Sequence, residues 1–454
     1  VPADLGYDLG RAATFFYSKE PPRMTNVLKE MDRYLLITSD SHAGPEHRTY
    51  GNYLEQKWQG DFNDWAKEVD EWIVQMRTVM GPRSIAVNGD PEVDGGRNWD
   101  STRRLAETEA DGVVAEVIFS NTSPPFAPRL FTEFGEPEIG RDFDRRWAGI
   151  QAHNRWLADF CSEAPGRRAG IVQIYLPNVE GSVKEIRWAK ENGLTGGVLL
   201  PGAPPGSGVP PLYAPEYEPI WNACDELDMP LNHHAGAAVP DFGQYLPQSL
   251  TMYMLEVKWW AHRALWHLMF SGVFERHPSL QFVLTEVGAG WAPEVLRELN
   301  HFYNQMKNET ETSEHIFGGP AVSKLSLTPT EYFDRQVHLG ASFLAPLDCE
   351  KRHEIGVHKL MWGSDYPHTE GSYPFSREHL RLTLAGVPEE EVHMMLATNA
   401  AKVYGFDIDA LAKIAAKVGP TKEEISTPLD LSTLPNEARK CPAFGAGNQR
   451  GAGL

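Results

Sequence analysis

The sequence predicts an α/β fold, a (β/α)8 TIM barrel, on three observations. Short β-rich runs recur along the chain, they alternate with helix-period segments, and most are almost continuously apolar, as in parallel strands buried on both faces. The runs are Tyr34–Ser39, Val113–Phe119, Gly170–Leu176, Gly197–Leu200, Met229–His233, Gln281–Glu286, Gln336–Ala341 and Lys359–Gly363. Between them lie segments such as GSVKEIRWAKENG, PEYEPIWNACDELD, APEVLRELNHFYNQMKN and EEEVHMMLATNAAKVYG. A doubly wound sheet is the alternative, but no Gly-rich phosphate loop follows a strand.

A chain of 454 residues accommodates one large barrel with additions. Residues 1–30 read as an N-terminal arm and 31–416 as the barrel. Residues 46–100 are too long for an ordinary loop and are expected as an insertion over the upper face. Residues 417–454, rich in Pro and Gly, are expected as an extended tail that wraps a neighbouring subunit or moves freely. The Gly-Pro-rich PGAPPGSGVPP after the fourth strand reads as a rigid loop shaping the site.

Hydrophobic residues make up 41% of the chain, with 13 Trp, which supplies a sizeable core and excludes a disordered chain. The net charge of −20 repels phosphate backbones and anionic lipid, so nucleic acid and membrane are not expected partners. The best candidate for a membrane span, Ala264 to Phe274, is short and broken by His267 and Ser271. The N-terminus lacks a basic segment followed by an apolar one, so no signal peptide is expected. Cys161, Cys224, Cys349 and Cys441 form no CxxC pair, which suits reduced thiols and a cytoplasmic location.

In such a barrel the active site lies at the C-terminal ends of the strands. The first ends in Ser39-Asp40-Ser41-His42, the fifth in Asn232-His233-His234, the sixth in Thr285-Glu286 and the eighth in Gly363-Ser364-Asp365-Tyr366-Pro367-His368. Four strands thus deliver imidazoles and carboxylates to one rim, the mixture that suits Zn²⁺, Mn²⁺ or Fe²⁺. Asp40 and His42, two apart, face the same side of an extended strand. Of the adjacent His233 and His234, one at most faces the axis. His262 and His267, at near-helical spacing among large apolar residues, read as core; His47, His153, His277 and His301 take no role. Glu389-Glu390-Glu391 is a solvated helix start. Trp291, Tyr366, Tyr373 and Phe375 are candidates to line the pocket, or equally core.

At these residues the chain resembles the amidohydrolase superfamily, in the branch containing aminocarboxymuconate semialdehyde decarboxylase and resorcylate-type decarboxylases. The resemblance runs from about Arg33 to Phe406, through SDSHAGP, MPLNHHAG, VFERHPSLQFVLTEVGAGWAPEVL and MWGSDYPHTEGSYP. It implies a metal-dependent barrel, commonly oligomeric, with metal ligands Asp40, His42, His234 and Asp365, the last also shuttling protons. The sequence departs from the pattern twice. Many members have HxH where Asp40 and His42 stand, and the decarboxylases place a His where this chain has Glu286.

With Glu286 as a further ligand, the site holds three carboxylates and two imidazoles, enough for one or two divalent ions. The family's breadth ranks first a hydrolase of a C–N or C–O bond. There Asp365 takes the proton of a metal-bound water while His234 or His368 stabilises the oxyanion, and Arg103 or Arg104 clamps a substrate carboxylate. The alternatives are a dinuclear Fe or Mn monooxygenase and a metal-dependent decarboxylase in which Asp365 protonates carbon. A silent subunit supporting a related paralogue is the non-enzymatic reading. The expected partners are a small-molecule substrate and a second subunit, as a homodimer or with that paralogue.

Overall fold

The structure, a computed structural model, describes residues 26–80, 95–128, 141–243, 245 and 247–444. All of the expected arm before residue 26, and the end of the tail from 445, lie outside the described residues.

The strands form one ring of parallel pairings. β1 (Leu36–Ala43) pairs with β2 (Val113–Ser120), and β2 with the first segment of β3 (Arg168–Gly170). At Ile171, whose N–H donates to the Ile118 carbonyl at 3.1 Å, the chain passes to the second segment of β3 (Val172–Gln173). That segment pairs with β4 (Val198–Leu199), and the ladder continues through β5 (Leu231–His234), β6 (Phe282–Thr285), β7 (Val337–Ser342) and β8 (Leu360–Gly363). The ring returns to its start just past β8: Asp365 N–H donates to the Asp40 carbonyl at 2.9 Å, and His42 N–H to the Tyr366 carbonyl at 2.7 Å. The (β/α)8 barrel expected from the sequence is the observed fold, each strand within a few residues of its predicted place.

Physical detail explains where the ends fall. Gly363 closes β8 because a Cβ there would sit 2.7 Å from the Asp40 Cβ, so only glycine lets β8 approach β1. Residues 46–100 hold a 3-10 turn, His47–Tyr53, and a helix, Gln59–Met80. In the C-terminal region, Leu434, Cys441 and Phe444 pack against Phe343 and Phe375, which follow β7 and β8. The four cysteines are free and buried. Among the described residues, no helix is long and apolar enough to cross a membrane.

Candidate metal centre

β1, β5, β6 and β8 bring their C-terminal side chains to one point. Strand alternation turns His234 toward β1, while His233 faces away and its Nδ1 lies 2.9 Å from the Leu200 carbonyl. Glu286 and Asp365 follow their strands at φ of 59° and 56°. Side chains rarely adopt this left-handed region, and such strain gathers at functional sites. Here the turn aims each carboxylate back over the barrel mouth.

The approaches are close. His42 Nε2 lies 3.3 Å from Asp40 Oδ1 and 3.1 Å from Asp365 Oδ1; His234 Nε2 lies 3.5 Å from Asp40 Oδ1 and 3.4 Å from Glu286 Oε2. His368 Nδ1 is 2.9 Å from Asp365 Oδ1, and its ring stacks on His42 at 4.0 Å. Yet Asp40 Oδ1, both Asp365 oxygens, His42 Nε2, His234 Nε2 and His368 Nδ1 are buried without a hydrogen-bond partner. Buried polar atoms are rarely left so. Their lone pairs converge as ligands converge on a cation, in two overlapping groups. One is Asp40, His42, His234 and Glu286; the other is His42, Asp365 and His368.

The far nitrogens support the same reading. His42 Nδ1 lies 3.3 Å from the Ser120 carbonyl and His234 Nδ1 lies 2.9 Å from that of Ala235. A proton donated there leaves Nε2 with its lone pair facing the centre, the arrangement of metal-bound histidine. Ser342, at the end of β7, donates to Asp40 Oδ2. The donor set therefore fits a divalent cation.

Without a cation the charges perturb one another. Burial alone would raise Asp40, but His234 and His42 hold it well below the usual carboxylate range. Burial opposes a charged His42, but Asp365 and Asp40 hold it well above the ordinary value. Burial, with the charges of Asp365 and Asp40, pushes Glu286 up to about 7. Burial, with Asp40's charge, pushes Asp365 up to about 6. Burial and then His42 push His368 down to about 4.

Every residue expected at the centre is thus brought there, and several expected around it are not. Arg104 is fully buried, donating from Nε to Glu116 at 2.9 Å and from Nη1 to the His42 carbonyl at 2.7 Å. Arg103 pairs with Glu107 at 2.9 Å. Arg104 is not placed to clamp a substrate, because Glu116 and the carbonyls of His42 and Arg97 already occupy its donors, and Arg103 gives its Nε to Glu107. Tyr366 stacks over Arg104 and donates to Glu107 at 2.7 Å; Tyr373 meets the Tyr366 ring edge to face, and Phe375 packs under the C-terminal segment. These three serve packing rather than the pocket. Trp291 stacks on His262 at 3.9 Å. The sequence reading missed Phe119, which packs 4.6 Å from the His234 ring, and Ser342. A signal existed for Ser342, a hydroxyl at the end of a seventh strand that had received no site residue.

Fold and donor set together define a metal-centred barrel enzyme. The sequence profile of the amidohydrolase family matches residues 137–406, more than half of the chain, and the chain belongs to that family. Among relatives, it is 25% identical over 228 residues to the gamma-resorcylate decarboxylase of Rhizobium sp. (strain MTP-10005), covering 47% of this chain and 64% of that protein. It is 29% identical over 229 residues to the gamma-resorcylate decarboxylase of Rhodococcus jostii (strain RHA1), with the same coverage. The match thus spans less than two thirds of these relatives' length. Solved structures share the fold. The 5-carboxyvanillate decarboxylase of Novosphingobium aromaticivorans, bound to manganese and 3-methoxy-4-hydroxy-5-nitrobenzoic acid, is 20% identical with a TM-score of 0.61, over 82% of this chain and 98% of that one. The dihydroxybenzoic acid decarboxylase of Polaromonas sp. JS666, bound to manganese and 2-nitroresorcinol, is 18% identical with a TM-score of 0.53, over 82% of this chain and 97% of that one.

These findings overturn the hydrolase expectation. The relatives are named as decarboxylases, so family breadth is the wrong guide to reaction class within this branch.

Proposed function

We propose that the protein is a metal-dependent, non-oxidative decarboxylase of a small aromatic acid bearing a hydroxyl beside its carboxylate. The observation that carries this reading is Asp365: a buried acid with its pKa pushed up to about 6, bordering the converging donors, with His368 Nδ1 2.9 Å from its Oδ1. Removing CO2 from a ring carbon requires a proton delivered to that carbon, and a buried acid whose pKa is raised toward neutrality is suited to give it.

Asp40, His42, His234 and Glu286 would hold the ion, with Asp365 at its edge. When bound, the ion supplies positive charge to the adjacent carboxylate and phenolate oxygens of the substrate. Asp365 transfers its proton to the ring carbon as the bond from that carbon to the carboxyl breaks and CO2 departs. His368, stacked on His42 and reaching Asp365 through Nδ1, is placed to return a proton to Asp365 from solvent. Phe119, against His234, offers an apolar wall to a flat ring. A carboxylate-rich set favours Mn²⁺ over Zn²⁺, and manganese is the ion in the similar structures.

The test is CO2 release from a panel of ortho-hydroxylated benzoates by Mn-loaded protein, with metal content measured per chain. Release at equimolar yield with the decarboxylated phenol, without oxygen uptake, is the expected result. Hydrolysis products or oxygen consumption in its place would overturn the reading.

A further inference from the structure

Two stacked imidazoles, His42 and His368, both reach Asp365 Oδ1, and consecutive residues past the middle of the barrel mouth hold their far nitrogens. The Ser120 carbonyl, at the end of β2, lies 3.3 Å from His42 Nδ1, and Asn121 Oδ1 lies 3.4 Å from His368 Nε2. Which nitrogen of a neutral imidazole carries the proton is set by the partner of the other. For His368 that partner is an amide, and its orientation is settled by a chain of contacts. The Gly95 carbonyl can only accept, so the Asn98 atom 3.2 Å from it is Nδ2. Asn98 Oδ1, also an acceptor only, is thereby turned toward Asn121, whose facing atom must be Nδ2. Asn121 Oδ1 is left toward His368, and an acceptor there requires the proton on Nε2. The polarity of one peptide carbonyl thus passes through two amides to an imidazole.

The backbone holds each link in place. Asn98 is fully buried and ends the 3-10 turn Gly95–Asn98, through which the region 46–100 reaches the centre. Its own carbonyl accepts from Gly44 N–H at 3.3 Å, and Asn121 N–H donates to the Ala43 carbonyl at 2.8 Å. Arg104 donates to the Arg97 carbonyl of the same turn at 3.2 Å. We propose that Asn98 and Asn121 are positioning residues of the centre, holding His368 with its proton on Nε2 and its Nδ1 lone pair toward Asp365. The ring is then set to accept from the Asp365 carboxyl rather than to donate to it. A proton on Nδ1 would do the reverse and favour the carboxylate, taking from Asp365 the proton it must give. When Asp365 has given its proton, the next one enters at Nδ1 and passes to the carboxylate, while Nε2–H stays on Asn121 throughout.

Neutron diffraction from crystals of the Mn-loaded protein in D2O reads the tautomer directly. Deuterium on His368 Nε2 alone is expected; deuterium on Nδ1, with or without Nε2, would overturn the proposal. This arm holds whatever reaction the centre catalyses, whereas the consequence for rate rests on the decarboxylase reading. Asn121→Leu removes the acceptor and is expected to lower kcat for CO2 release about tenfold, with KM within about twofold. Asn98→Leu should act in the same direction. Asn98→Asp, whose protonated carboxyl can donate to Gly95 and accept from Asn121, should stay within about threefold of wild type. Wild-type kcat in N121L, or equal losses in N98L and N98D, would overturn the positioning role. Should N121L fail to fold, the wild-type neutron map and the N98L and N98D pair decide. A wild type that releases no CO2 would sink the decarboxylase reading and leave the tautomer to the neutron map.

Discussion

Two buried charged clusters lie back to back at the end of β1, and they differ in one respect. Behind His42, Arg104 gives Nε and Nη2 to Glu116, at 2.9 Å and 2.7 Å, and Nη1 to the carbonyls of His42 and Arg97. Glu116 also accepts from Ser41 and Arg168. Burial would raise Glu116, but Arg104 keeps it below its ordinary value. In front of His42, the centre of Asp40, His42, His234, Glu286 and Asp365 is also charged and largely buried, yet Asp40 Oδ1, His42 Nε2, His234 Nε2 and both Asp365 oxygens lack hydrogen-bond partners. Burial and charge therefore do not mark the site. Unsatisfied convergence marks it, because only there is a ligand needed to complete the electrostatics. The closed cluster shows what the chain builds when it wants rigidity, and it applies that rigidity to the backbone of a metal-ligand candidate.

The sharpest way to break the contrast is Asp365→Asn. This variant keeps the volume and removes the acid, and it is expected to lower CO2 release by about 10³-fold or more. In the metal-free protein the same change should raise the melting temperature, since it replaces a carboxyl that burial already disfavours as an anion. Wild-type turnover in this variant would place the proton donor elsewhere.

The closed cluster should respond with the opposite sign. Arg104→Met leaves the buried Glu116 only Ser41 and the more distant Arg168 as partners, and is expected to cost about 3 kcal/mol in denaturant unfolding. R104M/E116L should recover most of that loss, because an apolar pair of similar volume removes the stranded charge. A single variant as stable as wild type would mean that the network does not carry the fold at this position.

Much of this was legible in the sequence, for a definite reason. Buried parallel strands write themselves as apolar runs, and the candidate ligands sit immediately after them, so Asp40, His42, Glu286 and Asp365 follow from strand ends, while His234 was separated from His233 only by the family resemblance. What stayed hidden depends on partners distant in the chain. Arg104 reads as a clamp for a substrate carboxylate until Glu116 and the His42 carbonyl are seen around it, and Tyr366 reads as a candidate pocket wall until Glu107 claims its hydroxyl. Reaction class was hidden for a different reason. Hydrolysis and decarboxylation ask for the same ligand types, and differ in whether Asp365 takes a proton first or gives one.

Glu286 is the residue on which the two overlapping donor groups can be told apart. Glu286→Ala is expected to weaken Mn²⁺ binding about 10–100-fold while leaving the fold intact, as read by titration calorimetry on metal-free protein. Unchanged affinity and metal content would reduce Glu286 to a bystander and leave the ion to Asp40, His42, His234 and Asp365.

The smallest expected effect is a slope with pH. In the metal-free fold Glu286 and Asp365 keep protons to about 7 and about 6, against ordinary values of 4.5 and 3.8. Between those limits the folded chain binds more protons than the unfolded one, so these groups stabilise it less as pH rises. His42, held well above 6.5, acts in the same direction, its contribution present at low pH and lost as pH climbs through its folded value. Asp40 acts oppositely, but only in acid near and below 3.8. A divalent ion held by Asp40, His42, His234 and Glu286 competes with the Glu286 proton and with the charge on His42, and so flattens the slope. At fixed free Mn²⁺, the gain in melting temperature on adding metal should therefore widen from about pH 5.5 to about pH 8. A gain that stays level across that range would show that ion and protons do not compete for the same atoms, and the unpaired lone pairs at the barrel mouth would then need another explanation.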